Sequence, residues 1–410
     1  MYKIFTEILL NRMERCLDEY QPVEQAGFRK DFSCMDHIQT VSQLIERSRE
    51  YHIPLVLVFV DYRKAFDSVE INAILNALVH AGIPSPYIRL LDECFSNTST
   101  TIQLFDRKLK IPIGKGVRQG DTISPKLFTA TLQDAMKDLN WDDKGYLVDG
   151  KRISNLRFAD DIVLISTSTA EVEEMLNELN VAGMKIGLDM NMSKTQFMVN
   201  QWCDTGLVRL NGVALQQVDS YVYLARELNM DNDLAPEIAR RRRAAWAAFS
   251  SIREVTDQVK DAGLRASIFN ASVLPAMCYA TETWPDNKSI ARAMQTTHRA
   301  LERCLLRTSL RQQWQEGLRS SELREKSQLA DPLQYMKKSK YRWAGHLLRR
   351  KDDRWSLRVT EWLPRDHKRP LGRPPTRWAD SFSRSFRERS LPHWMQAARD
   401  RAVWKSCGPR

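Results

Sequence analysis

Eight apolar residues in a row, Ile53-Pro54-Leu55-Val56-Leu57-Val58-Phe59-Val60, stop abruptly at Asp61. A β-branched run of this length reads as a strand buried on both faces, so its sheet needs cover on each side. It is far too short to cross a bilayer. Strand-like and helix-like stretches alternate around it. Leu9–Leu17 and Cys34–Glu50 read as helices. Asp67-Ser68-Val69-Glu70 reads as a capping box opening a helix to about Gly82, and Ser124-Pro125 opens another to about Asn140. Ile153–Phe158 and Ile162–Ser166 are predicted strands around a tight hairpin at Ala159-Asp160-Asp161. Thr169 caps a helix ending near Gly187, and Thr195–Val199 and Tyr221–Leu224 are short strands. Beyond Asp233 the pattern is helical over 234–256, 260–277, 288–308 and 320–350, and a Pro- and Arg-rich linker occupies 364–375.

Charge divides the chain at the same place. Residues 1–235 hold 25 basic and 33 acidic side chains, and residues 236–410 hold 37 and 18. Nine of the eleven tryptophans also lie beyond 235. A basic, Trp-rich half suits phosphate contacts and flat apolar surfaces, and an acidic half suits cations; a solvated Arg-rich helical surface is the plainer alternative. Seven cysteines, at 16, 34, 94, 203, 278, 304 and 407, are scattered and fit a reducing compartment rather than a disulfide framework or zinc site. The first residues carry no basic segment followed by an apolar core, so no signal peptide is read. A soluble intracellular protein with no membrane partner is expected.

Three carboxylates stand where a carboxylate is costly. Asp61 ends the apolar strand, and Asp160 and Asp161 sit in a turn between two more. Taken singly, each is explained as a turn or capping residue. Together, acidic groups of like charge are tolerated when divalent cations lie among them. A site of few oxygen ligands suits Mg²⁺, with Mn²⁺ as a substitute. Two such ions, about 3.5–4 Å apart, would clamp the attacking and leaving oxygens of an in-line phosphoryl displacement.

Read in order, these segments carry a resemblance. Phe59-Val60-Asp61-Tyr62-Arg63-Lys64-Ala65-Phe66-Asp67-Ser68-Val69, Gly116-Val117-Arg118-Gln119-Gly120-Asp121-Thr122-Ile123-Ser124-Pro125 and Phe158-Ala159-Asp160-Asp161 resemble the catalytic motifs of non-LTR (LINE-type) retrotransposon reverse transcriptases. Gln25-Ala26-Gly27-Phe28-Arg29-Lys30 and Lys194-Thr195 are similar to flanking motifs of that family, and the similarity continues through Tyr279–Trp284 and Tyr341–His346. Ala225 and Asp31 stand where the family usually has Gly.

The resemblance implies an α+β right-hand polymerase palm with partial fingers over 1–235. A helical thumb-like region over 236–330 and a basic Trp- and Arg-rich C-terminal region over 331–410 would follow. It implies an RNA-directed DNA polymerase, a nucleotidyltransferase extending a DNA primer on an RNA template from deoxynucleoside triphosphates, nuclear in a eukaryotic host. The chain would be an N-terminally truncated element that opens within the fingers. Asp61 and Asp160 would be the main metal ligands, completed by Asp161 and by the carbonyl of Tyr62. Phe66 would exclude a ribose 2′-hydroxyl, although its spacing equally fits a core ring. Arg118, Gln119 and Gly120 would line the nucleotide pocket. Lys194 would protonate pyrophosphate, and Arg29 would meet triphosphate or template.

In the basic half, Arg240-Arg241-Arg242-Arg243 is the densest cluster, readable as phosphate contact, nuclear-localisation patch or solvated helix. His367–Pro375 has the look of a minor-groove arm, but Leu371 interrupts it and a plain linker is the preferred reading. Two other functions fit the same sequence: a catalytically silent remnant that binds nucleic acid, and a group II intron-type maturase.

Overall fold

In this computed structural model, which describes residues 2–96 and 98–409, Val56–Val60 is buried at every position and lies at the centre of a five-stranded sheet. Its neighbours are Asp161–Ser166 and Gln196–Val199, both antiparallel to it; Asn155–Phe158 and Gln216–Gln217 form the edges. The strand begins at Val56 rather than Ile53 because Pro54 has no N–H for a ladder. Asn200 takes over the neighbouring backbone groups, accepting from Leu55 N–H at 3.1 Å and donating to the Ile53 carbonyl at 2.8 Å. Helices Tyr2–Glu19, Ile71–His80, Ser124–Met136 and Thr169–Lys185 supply Leu9, Met13, Ile74, Leu78, Leu127, Phe128, Leu176 and Leu179 to the core around the sheet.

Several elements depart from the sequence expectation. The helix expected to open at Asp67 is instead a short turn, Ala65–Ser68, and a separate helix, Ile71–His80. The carbonyls of Phe66 and Val69 are taken by Val117 and Gly116 N–H, both at 2.8 Å, so they are withdrawn from a continuous helical ladder. The stretch 320–350 is two helices, Ser320–Ser327 and Pro332–Leu348: Gln328 turns into the left-handed region, and Asp331 caps the second helix with proline at its first position. Unanticipated is a hairpin, Ser99–Leu104 with Arg107–Pro112, whose residues are all exposed.

The chain forms two compact units: Met1–Thr40, Arg47–Leu224 and Asp353–Pro370 in the first; Val41–Glu46, Ala225–Asp352 and Leu371–Arg410 in the second. The boundary drawn at 235 thus falls at 224/225. Residues 353–370, assigned from sequence to the C-terminal region, pack with the first unit. Arg354 donates to the Asp31 carbonyl at 2.6 Å, lies over the Phe32 ring, and approaches the buried Asp36 carboxylate at 3.5 Å. Ser356 donates to Asp36 at 2.8 Å, and Trp355 to Glu24 at 2.9 Å.

The second unit is helical. Phe249, Phe269, Val273, Met294 and Leu301 fill one core, and Trp378, Phe382, Trp394 and Trp404 stack into an aromatic cluster. Lys340 is buried, and its ammonium donates to the Trp284 carbonyl at 2.8 Å and to Asp286 at 2.9 Å. It thereby ties Tyr279–Trp284 to the helix that carries Tyr341–His346, which gives both segments a packing role. Most tryptophans beyond 235 are core residues; Trp314, 84% exposed, is the exception. They are therefore poor candidates for open stacking platforms. Among the described residues no helix is long and apolar enough to cross a membrane.

Removing the Asp36 carboxylate should take a buried counter-charge away from the Arg354 guanidinium. Asp36→Ala is expected to cost about 3–5 kcal/mol, read from the urea midpoint, and Asp36→Asn less, since the amide oxygen still accepts from Ser356.

Candidate active site

Sheet register brings two of the predicted residues together. Val60 pairs with Ile162, so Asp61, one residue further on, and Asp161, one residue earlier on the neighbouring strand, stand at adjoining strand ends. Phe158 pairs with Asp161, leaving Ala159 and Asp160 as a two-residue turn. Asp61 raises the pKa of both Asp160 and Asp161, so the three charges share one field. Burial followed by repulsion from Asp61 lifts Asp160 above the usual carboxylate range. Burial and then the charges of Asp160 and Asp61 push Asp161 up to about 6.

The turn is held from outside. Ala159 has φ of 57°, a left-handed backbone that alanine adopts at a cost. Its N–H donates to the side-chain oxygen of buried Gln25 at 2.9 Å, and the same oxygen accepts from Gly27 N–H at 2.8 Å. Ala26 N–H donates to the Arg157 carbonyl at 2.9 Å, and Arg157 N–H to the Glu24 carbonyl at 2.8 Å. Gly27 is required by this approach: a Cβ there would lie 2.3 Å from Ala159 N. In the sequence Gln25–Lys30 stands out only as a motif, and the role of Gln25 as a brace of the hairpin emerges from the fold. The signal was a glutamine two residues before a glycine, next to nothing else that explains it.

Asp61 is fixed on its other side by the segment after Asp189. Its N–H donates to Thr195 Oγ1 at 3.2 Å, and its carbonyl accepts from Asn191 N–H at 2.7 Å. The Lys194 ammonium lies 3.7 Å from Asp61 Oδ2 and is 69% exposed. Oδ2 itself is buried and has no hydrogen-bond partner among the described residues. Tyr62 turns its side chain into the core, and its hydroxyl finds no partner there.

Phe66 is half-buried, stacked on Phe128 at 4.3 Å and meeting Phe28 edge-on at 6.2 Å. The ring is thus anchored on two sides, a geometry compatible with both the gate and the core expectation. The Gly116–Gly120 loop docks against this turn, and a Cβ on Gly116 would strike the Asp67 backbone at 2.6 Å. Gln119 is exposed and donates to Asp67 Oδ1 at 2.9 Å, a partner not picked out from sequence. Gly120 has φ of 79°, open to glycine at little cost. Arg118 turns back to donate to the Cys94 carbonyl at 3.1 Å and covers the Tyr2 ring.

Some predicted cations are used internally. Arg29 donates to the carbonyls of Pro22, Gln25 and Asp18, which fits bracing of its own loop better than reaching for phosphate. Arg241 is buried, ion-paired with Glu237 at 2.9 Å and bonded to the Ala225 carbonyl at 3.0 Å; Arg240 donates to the same carbonyl. Arg242 and Arg243 are exposed. The helix Ala235–Gln258 therefore offers two, not four, heads to solvent in this cluster.

Among the described residues, no three carboxylate, imidazole or thiolate groups converge to hold one metal ion by themselves. The donor set nevertheless suits Mg²⁺, which binds through one or two carboxylates plus water and substrate phosphate. The buried Asp61 Oδ2, with no hydrogen-bond donor among the described residues, and the raised pKa values of Asp160 and Asp161 are the observations that fit a cation.

Comparison with known proteins agrees with this chemistry. A family model described as reverse transcriptase (RNA-dependent DNA polymerase) matches residues 1–228. A transposon-derived protein of Caenorhabditis elegans is 41% identical over 266 residues, 63% of this chain and 95% of that protein. A Pol polyprotein of a type-1 R2 retrotransposable element from Nasonia vitripennis is 30% identical over 189 residues, 45% of this chain and 18% of the polyprotein. A protein of Drosophila melanogaster transposon BS, named for RNA-directed DNA polymerase activity, is 22% identical over 298 residues, 69% of this chain and 32% of its own length. The chain thus spans nearly all of the worm protein and only a minor part of the other two.

Two outcomes follow from the geometry. Gly27→Ala should push the Ala159 turn away and lower the rate of primer extension on the order of 100-fold, as misplacement by about 1 Å does elsewhere; an unchanged rate would show that the brace is dispensable. Asp161 gives a pH effect of definite sign. Its folded pKa is raised, so its contribution to stability is present below pH 4 and is lost as pH rises through about 6. Asp161 is only partly covered, and solvent screens much of the repulsion, leaving an effect of about 1 kcal/mol. Asp161→Asn should therefore raise Tm by about 2–4 °C at pH 7.5 in chelator and by much less at pH 4.

Proposed function

The chain belongs to the reverse transcriptase (RNA-dependent DNA polymerase) family, and from that premise we propose that it extends a DNA primer on an RNA template, using deoxynucleoside triphosphates, in the manner of non-LTR retrotransposon enzymes. The observation that carries this reading is the meeting of Asp61, Asp160 and Asp161 in one electrostatic field at the end of a buried sheet. Divalent cations, two Mg²⁺ in this proposal, would supply charge that stabilises the in-line displacement when bound to these carboxylates.

The chain's own residues would do the positioning. Asp61 Oδ2, which has no hydrogen-bond donor among the described residues, and the carboxylates of Asp160 and Asp161 would face the reacting phosphate. Lys194, beside Asp61, is placed to hold a proton for the departing pyrophosphate. The Gln119–Asp67 hydrogen bond orders the loop at which a nucleotide base would stack, and Gly120 lets its backbone come close. Phe66, fixed between Phe28 and Phe128, would set its free edge against the sugar and disfavour a ribose 2′-hydroxyl. Arg242 and Arg243 remain as candidate contacts for the template–primer backbone.

A primer-extension assay on an RNA template tests this directly. Mg²⁺-dependent incorporation by the full chain, abolished by EDTA and lowered at least 1000-fold by Asp61→Asn, is the expected result, since metal and electrostatic stabilisation supply most of such a barrier. In the same assay Phe66→Val should raise ribonucleotide use while deoxynucleotide use is largely kept. Template binding without incorporation would instead support a silent nucleic-acid-binding remnant.

A further inference from the structure

The motif Tyr341–His346 is only partly explained by packing. Along the helix Pro332–Leu348 and just beyond it, Lys338, Arg342, His346 and Arg349 recur at intervals of four and three, which puts them on one face. The last helix, Arg401–Cys407, adds Arg401 and Lys405, four apart. These six line a single pocket of about 360 Å³, and among the described residues no carboxylate lines it. Like charges four apart on a helix destabilise it. His346 shows the resulting field: burial, then the guanidiniums of Arg349, Arg350, Arg342 and Arg401, hold its pKa below the usual histidine value.

The pocket is built rather than accidental. Its floor is Trp404, buried and stacked on Tyr341 at 5.0 Å, with the indole N–H donating to the Tyr341 carbonyl at 2.7 Å. Gly345 permits this: a Cβ there would lie 2.6 Å from the Trp404 ring. Arg349 is oriented by a 2.9 Å bond to the Ala398 carbonyl. Lys338, Arg342, His346, Arg401 and Lys405 are exposed.

We propose that this pocket is a polynucleotide-binding site, separate from the polymerase centre, that takes consecutive phosphates of one strand. The basic row from 338 to 349 extends about 16 Å along the helix at 1.5 Å per residue. That length spans several phosphates of a strand, which advance about 3.4 Å each along a duplex axis, and it exceeds what a single phosphate needs. Used on phosphates, these cations position a strand without reading its bases, so binding is expected to be independent of sequence.

The test is a salt titration of the full chain against a labelled 20-nucleotide DNA duplex of arbitrary sequence, in EDTA, between 50 and 200 mM salt. Arg342→Gln with Arg401→Gln should lower the log–log salt slope by about 2 and the affinity near 150 mM by about ten- to thirtyfold, and Lys338→Gln with Lys405→Gln should do the same. A charge-matched pair on exposed residues outside the pocket, Arg311→Gln with Lys326→Gln, should leave the slope nearly unchanged. Equal losses in the pocket and control pairs would overturn the proposal by reducing the effect to net charge. A defect confined to binding of phosphatidylserine vesicles, with duplex binding unchanged, would also overturn it. Catalysis at Asp61 is not involved, so its success or failure is decided separately.

Discussion

Like-charge repulsion among Asp61, Asp160 and Asp161 is the constraint to which the first unit is fitted. At the end of a sheet whose central strand is buried throughout, the charge of Asp61 adds to burial in raising the pKa of Asp160 and Asp161, and a chain left to relax would splay the three apart. The structure prevents this with bonds to backbone rather than to the carboxylates. Gln25 grips the Ala159 amide, and Thr195 and Asn191 grip the two backbone groups of Asp61. The acidic turn and strand end are thereby kept in place while Asp61 Oδ2 stays without a hydrogen-bond donor among the described residues, a condition that suits a cation.

The same economy explains the glycines that matter. Gly27 and Gly116 both sit where another chain segment passes within the space of a methyl group, the first behind the acidic turn and the second behind the Phe66 turn. Backbone pressed against backbone is stiff, because close-packed atoms have little room to give. The acidic hairpin and the Gly116–Gly120 loop are therefore each located by contact with a motif far away in sequence.

Positive charge in the second unit is put to two uses. Arg226, Arg241 and Lys340 are buried and spend their donors on carbonyls, hydroxyls and carboxylates inside the unit, each with a pKa lowered first by burial. Others, such as Arg242, Arg342 and Arg401, are left exposed. Net charge alone does not separate the two groups. A guanidinium in the core costs desolvation that its partners offset, whereas one at the surface keeps its field available to a polyanion.

Much of the local structure around the candidate site is legible in the sequence. An eight-residue apolar run ending in Asp61, and a double aspartate between two short apolar stretches, fix local structure through periodicity and burial, which act over a few residues. The helices of both halves and the Ala159–Asp160 turn were readable for the same reason. What the sequence left open involves partners chosen at long range. That Gln25 reaches the amide of Ala159, 134 positions away, is one such choice. That Asp353–Pro370 joins the first unit through Asp36, and that Arg241 turns inward while Arg242 turns out, are others. Each depends on which donor is nearest after the sheet and helices have packed. Local pattern sets which side chains are available, and only the folded geometry decides which of them are consumed.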